Sequence, residues 1–165
     1  MSRKHTRRRV VNPVPPWLRP RLAADQVQDL GLVHWQNLDA LAKGEGTLDL
    51  LWQVVGGVFT WSRVADALAR RNAAYTPAVD EMRAQLELAT RLVERYGATG
   101  RVVFTGPEYQ LAKRGADVMD ELAQVVDRDT AIAAAEWSEA RVNALTNKGI
   151  AARPISRSTE GELAK

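Results

Sequence analysis

The densest chemistry in this sequence is cationic. Arg3, Lys4, Arg7, Arg8 and Arg9 place five cations within seven residues, Arg19 and Arg21 follow, and no acidic residue precedes Asp25. A run of this kind neutralises phosphates and releases the counterions a polyanion holds. It equally suits an acidic protein surface. These seven residues are the candidate contacts for nucleic acid or for an acidic partner, and the run alone does not choose between them. Trp17 stands directly after Pro15 and Pro16 in the same stretch. It either anchors the stretch to the rest of the chain or stacks on a base or a partner.

Other chemistries are poorly supplied. With no cysteine among 165 residues, disulfides, thiolate catalysis, iron–sulfur clusters and cysteine-bearing zinc sites are excluded. The two histidines are His5 and His34. His34 lies between Val33 and Trp35 without a Glu-x-x-His or His-x-x-x-His partner, so it reads as a structural, partly buried and hydrogen-bonded side chain. Asp117, Asp120 and Glu121 sit close together on one helix. A carboxylate metal site in a bundle needs Glu-x-x-His pairs on facing helices, so these three read as a solvated face. Asp127 and Asp129 flank Arg128 in a turn and read as helix caps. Gly44-Glu45-Gly46 lacks a third glycine and the strand–turn–helix setting of a dinucleotide site. No phosphate-binding P-loop occurs. The expectation is a non-enzymatic protein with no cofactor and no metal.

The charge distribution divides the chain. Residues 1–21 hold seven basic and no acidic side chains, residues 22–148 hold 13 basic and 18 acidic ones, and the remainder holds three and two, for a net +3. The expected organisation is a basic arm over residues 1–22, a helical bundle over 23–148 and a loose tail over 149–165. Pro13, Pro15, Pro16 and Pro20 disfavour a helix in the arm and favour an extended segment. Thr6 to Val11 faintly resembles a twin-arginine export signal, but Asn12, the prolines and Arg19 interrupt the apolar stretch such a signal needs. No run of apolar residues is long enough to span a membrane, and the default expectation is cytoplasmic.

The body must position whatever the arm contacts, and its periodicity predicts an all-α bundle of four to five helices. Val27, Leu30, His34, Leu38 and Leu41 form the stripe of a first helix from about Ala24 to Lys43, with Gly44 as its C-cap. Thr47 caps a second helix reaching Arg71. Residues 48–61 of that helix are polar only at Asp49, Gln53 and Thr60, which marks it as central. Gly56-Gly57 inside it implies close approach of another helix or a kink. Thr76-Pro77 starts a third helix with the stripe Val79, Met82, Leu86, Ala89, Val93 and Tyr96, ended by Gly97. Residues 101–104 read as a short extended piece. Thr105 to Glu108 matches a capping box for a fourth helix carrying Leu111, Gly115, Val118, Leu122 and Val125. After a break, Asp129 or Thr130 caps a fifth helix running to about Asn147. Trp52 and Trp61 are expected in the core, with Trp35 and Trp137 at its edges.

The order of segments carries a resemblance. A basic arm ends in Asn12-Pro13, a leucine-rich helix with His34 runs into ALAKGEGT at 40–47, DLLWQVVGGVFTWSRVADAL follows, and GRVVFTGPEYQLAKRGADV occupies 100–118. Over roughly residues 3–145 this is similar to small helical proteins of unassigned function encoded in prophages of proteobacteria. The resemblance implies a bacteriophage-type accessory protein, a non-enzymatic binder of a host or phage macromolecule, and transfers no residue roles. The alternative it leaves open is an oligomeric structural or assembly protein whose basic arm touches packaged nucleic acid, with the chain as a homo-oligomer.

Overall fold

Cap chemistry and apolar spacing set five helices along residues 19–146, the part of the chain that the structure, a computed structural model, describes. They are α1 (Ala24–Ala42), α2 (Leu48–Ala69), α3 (Thr76–Thr99), α4 (Gly106–Val125) and α5 (Arg128–Leu145), with a single 3-10 turn at Ala73–Tyr75 before α3. Among the described residues extended pairing is confined to two isolated bridges, Arg21 with Asp127 and Gly46 with Val102. The protein is therefore all-α. Arg3, Lys4, Arg7, Arg8, Arg9 and Trp17, and the expected tail over 149–165, lie outside the described residues.

The most apolar helix is the central one. α2 packs against all four others, most extensively against α3 and α5, while α1 lies on α4. Thr47 starts α2 by accepting a hydrogen bond from the Leu50 amide at 3.2 Å. At α4 the Glu108 half of the Thr105–Glu108 capping box forms, with Glu108 Oε2 accepting from the Thr105 amide. Two boundaries differ from the sequence expectation. α3 runs through Gly97 and stops at Gly100, whose φ of 66° supplies the left-handed C-cap. α5 is capped by Asp127, two residues before the nearer of the expected caps, so α4 and α5 meet in a tight corner.

The core comes in two apolar halves. One gathers Leu38, Leu41, Leu51, Val54, Leu88, Leu92 and Phe104, the other Val58, Trp61, Val64, Met82, Met119, Leu122 and Val126. On α2 the halves divide at Gly56-Gly57, where polar side chains enter. Ser138 of α5 donates to the Gly56 carbonyl at 2.7 Å, and the His34 ring of α1 stands against Gly57. These are ordinary contacts: a β-carbon at Gly56 or Gly57 would lie 3.6–3.7 Å from its nearest neighbour. The close approach expected there occurs elsewhere. A β-carbon at Gly115 would collide with the buried Gln85 side chain, and one at Gly46 would come within 2.6 Å of the Val102 carbonyl oxygen. Gln85, buried on α3 with Met82, Leu88 and Leu92 and outside the expected stripe, donates to Glu81 Oε1 and to the Leu111 carbonyl.

Candidate anion-binding cleft

The site begins with the corner between α4 and α5. Asp127 caps α5 by accepting from the Thr130 amide at 2.9 Å and from the Thr130 hydroxyl at 2.8 Å. Arg71, just beyond the end of α2, donates from Nη1 to Asp127 Oδ2 at 2.7 Å and from Nη2 to the Thr130 hydroxyl at 3.0 Å. The end of α2 is thereby tied to the start of α5. Burial raises the Asp127 carboxyl, but hydrogen bonds from Arg71 and from the Thr130 amide and hydroxyl outweigh it and hold the group below its ordinary value.

The same corner holds the base of the basic arm. Arg21 pairs with Asp127 in an antiparallel bridge, and the Arg128 amide donates to the Pro20 carbonyl at 2.8 Å. Arg19 Nη1 lies 4.0 Å from Asp127 Oδ2. Leu22 packs on the half of the core around Val64 and Leu122. Of the seven predicted contact residues, Arg19 and Arg21 are therefore brought to one place, against the start of α5.

Beside this corner runs a cleft of about 330 Å³ between α2 and α5. Arg63 and Ala67 line it from one face of α2, and Arg70 and Arg71 from the turn that follows. Thr130, Ala133, Ala134 and Trp137 line it from α5. The Arg63 guanidinium stands 5.6 Å from the centroid of the Trp137 ring, within cation–π range. Phe59 meets the same ring edge-on, with centroids 6.1 Å apart at 89°. Trp137 nonetheless remains 42% exposed. Among the described residues neither Arg63 nor Arg70 is engaged in an ion pair. The acids nearest in sequence, Asp66, Asp129 and Glu136, do not line the cleft. Three arginines and an exposed indole over an alanine floor suit a phosphate-bearing, stackable ligand.

Sequence reasoning missed Arg63, Arg70 and Arg71 as a group, and treated the last two only as the end of a helix. Their spacing was the available signal. Trp137 was placed at a core edge, which its contact with Phe59 supports. Its share of a basic cleft depends on the α2–α5 pairing, which periodicity does not specify.

The remaining candidates sort differently. Asp117 and Glu121 are exposed, whereas Asp120 is half-buried and accepts from Trp35 Nε1 at 3.1 Å, so it leaves the solvated face assigned to it. Its role is to join α4 to α1. Burial pushes the His34 imidazole below its usual value, and Asp120 opposes that shift. Among the described residues no three His, Asp or Glu side chains are grouped to hold a metal ion. A second groove, of about 480 Å³, is lined by Trp52, Phe59, Leu86, Val93 and Leu145, with only Glu94 and Arg141 as charged members. That pairing offers no catalytic constellation. No described helix is long and apolar enough to cross a membrane. Comparison of the chain with protein-family models, with curated proteins and with solved structures finds no match.

Proposed function

We propose that this chain is a non-enzymatic nucleic-acid-binding protein of the bacteriophage accessory kind, whose basic arm and α2–α5 cleft act as one polyanion-binding surface. The observation that carries the reading is the position of the arm's base. Arg19 and Arg21 sit on the Asp127 corner, and Arg71 of that corner also lines the cleft with Arg63 and Arg70. Nine residues of chain separate Arg9 from Arg19, which sits at the corner beside the cleft. An acidic protein partner would find the same charges, but the exposed indole among the arginines favours a ligand with flat, stackable rings.

Titration of labelled DNA and RNA at several salt concentrations tests it. Five phosphate contacts from the arm alone give a slope of log affinity against log salt of about −3.5 on single strands to −4.5 on duplex DNA. Replacing Arg7, Arg8 and Arg9 by alanine flattens it by about two to three units. Failure of the wild type to bind either polymer at low salt overturns the reading in favour of an acidic protein partner.

A second reading, self-assembly with the arm on packaged nucleic acid, rests on a separate feature. Leu30, Leu32 and Val33 of α1 are 47–53% exposed, with Leu30 and Val33 three residues apart on one face of the helix. A single-copy mass in solution at high protein concentration rules that reading out.

A further inference from the structure

We infer that Trp137 is a base-stacking platform, so that the α2–α5 cleft takes unpaired nucleotides and the protein prefers single-stranded to double-stranded nucleic acid. This rests on the nucleic-acid reading above and deepens it to a class of ligand. The contrast with Trp61 shows why Trp137 needs an account: Trp61 is 8% exposed and Trp137 is 42% exposed. The exposed ring is nevertheless held in one orientation. Phe59 meets it in a T-shaped pair and the Arg63 guanidinium stands over it. A stacking surface fixed in advance costs little conformational entropy when a base arrives.

The neighbours supply what a stacked nucleotide needs beyond its ring. Ala67, Ala133 and Ala134 contribute only small side chains to the cleft, so the Arg63 guanidinium over the indole is the group that a stacking base displaces. Arg63 and Arg70 line the same cleft without ion-pair partners among the described residues, within reach of the phosphates of a nucleotide bound there. A charged groove lined with an aromatic platform is the arrangement that binds single strands with little sequence preference. Duplex recognition needs the opposite shape, an element that projects into a groove. Here α2 and α5 pack together and present a recess. Bases within a duplex are already stacked and paired, so their faces are not available to an indole.

The test uses the full chain and two probes, a short labelled oligothymidine and a labelled duplex of equal length, followed by anisotropy. The wild type binds the single strand more tightly. Trp137→Ala weakens single-strand binding about 5- to 150-fold, leaves duplex binding within about twofold, and leaves the salt slope unchanged because no charge is removed. Trp137→Phe retains part of the affinity and guards against a folding defect in the alanine variant. The difference in intrinsic fluorescence between wild type and Trp137→Phe isolates this indole, and oligothymidine quenches it. Duplex preference in the wild type, or equal losses on both probes with unquenched Trp137, overturns the stacking role while the arm's salt dependence still stands. A wild type that binds neither probe overturns the underlying reading as well.

Discussion

Two arginine–carboxylate pairs tie helices together in this protein, and they are built to different ends. Between α3 and α4, Arg95 grips Glu108 with both nitrogens, Nη1 to Oε2 at 2.8 Å and Nη2 to Oε1 at 2.7 Å. Glu108 also accepts from the Thr105 amide at 2.8 Å, and Arg95 donates to the Val103 carbonyl at 2.6 Å. Between α2 and α5, Arg71 gives Asp127 one nitrogen and turns the other to Thr130. The first pair is closed, with both carboxylate oxygens and both terminal nitrogens used. The second is open-sided. Arg19 approaches the same oxygen of Asp127, and Arg63 and Arg70 line the cleft beside it. Each carboxylate has a second, distant arginine, Arg91 at 3.9 Å from Glu108 and Arg19 at 4.0 Å from Asp127, so what differs is the grip. A two-pronged fork fastens a helix, whereas a one-pronged contact beside a cleft that Arg63 and Arg70 also line leaves positive charge for a ligand.

Breaking the closed pair has the largest expected effect on stability. Glu108→Ala removes the capping box and leaves the Arg95 guanidinium without its carboxylate, for a loss of about 3 kcal/mol. A urea melt followed by circular dichroism measures it. Salt-dependent binding of nucleic acid should be unchanged in the folded variant, because Glu108 does not line the cleft. A stability loss below about 1 kcal/mol would mean that the bidentate geometry contributes little.

Acid separates the pairs next. The Arg95 fork, working against burial and helped by Thr105, holds the Glu108 carboxyl down at about 2, against an ordinary 4.5. Its folded value is the lower one, so its contribution is fully present above about pH 4.5 and fades as pH falls toward 2. Glu108→Gln preserves the shape of the cap and removes this titration. Melts of the wild type between pH 5 and 2.5 should fall more steeply than those of Glu108→Gln. Parallel curves would assign the acid sensitivity to other carboxylates, with Asp127, whose value is also lowered, as the first to replace by asparagine.

Opening the second pair should cost less stability and more function. Arg71→Ala leaves Asp127 its two contacts to Thr130 and the approach of Arg19, so the fold loses about 1–2 kcal/mol. Affinity for nucleic acid should fall as well, since one cleft cation goes and the neighbouring corner loosens. Chemical melts and anisotropy on the same preparations check both. A variant that loses stability while binding as the wild type does would make Arg71 a fastening like Arg95.

How far these roles could be read from the sequence differs residue by residue. The Thr105–Glu108 capping box was legible because all its parts lie within four residues. Arg95, which completes it from α3, was not, since a lone arginine on a helix face has no local signature. The central place of α2 followed from the apolar side chains that cover most of its circumference over residues 48–61. Gly56-Gly57 marked the right region and the wrong detail: the helix is crossed there by Ser138 and His34 at ordinary distance, and the tight packing falls at Gly115. The partner of Gly115 is Gln85, a polar side chain that a hydrophobic stripe leaves out. The cleft was least legible, because it exists only once α2 and α5 lie side by side. Arg19, Arg21 and the arm were visible as charge, while the corner that holds their base needed Asp127 to be recognised as the cap of α5.

The smallest stability effect is expected where the binding effect is most specific. Arg63 and Arg70 are exposed and without ion-pair partners among the described residues, so replacing both by alanine should shift stability by no more than about 0.5 kcal/mol. Arg63 also stands over Trp137, and losing that contact adds about 0.5 kcal/mol at an exposed site. The melt therefore scarcely moves. Binding should change in a particular way: if each arginine neutralises one phosphate, the double variant flattens the salt slope by about 1.4 on single strands. Combining it with the replacement of Arg7, Arg8 and Arg9 should give additive slopes, since each neutralised phosphate contributes separately. An unchanged slope with a weaker constant would mean that the two arginines shape the cleft without meeting phosphate. An unchanged constant would leave the arm to bind alone and reduce the α2–α5 cleft to a fastening no different in kind from Arg95 and Glu108.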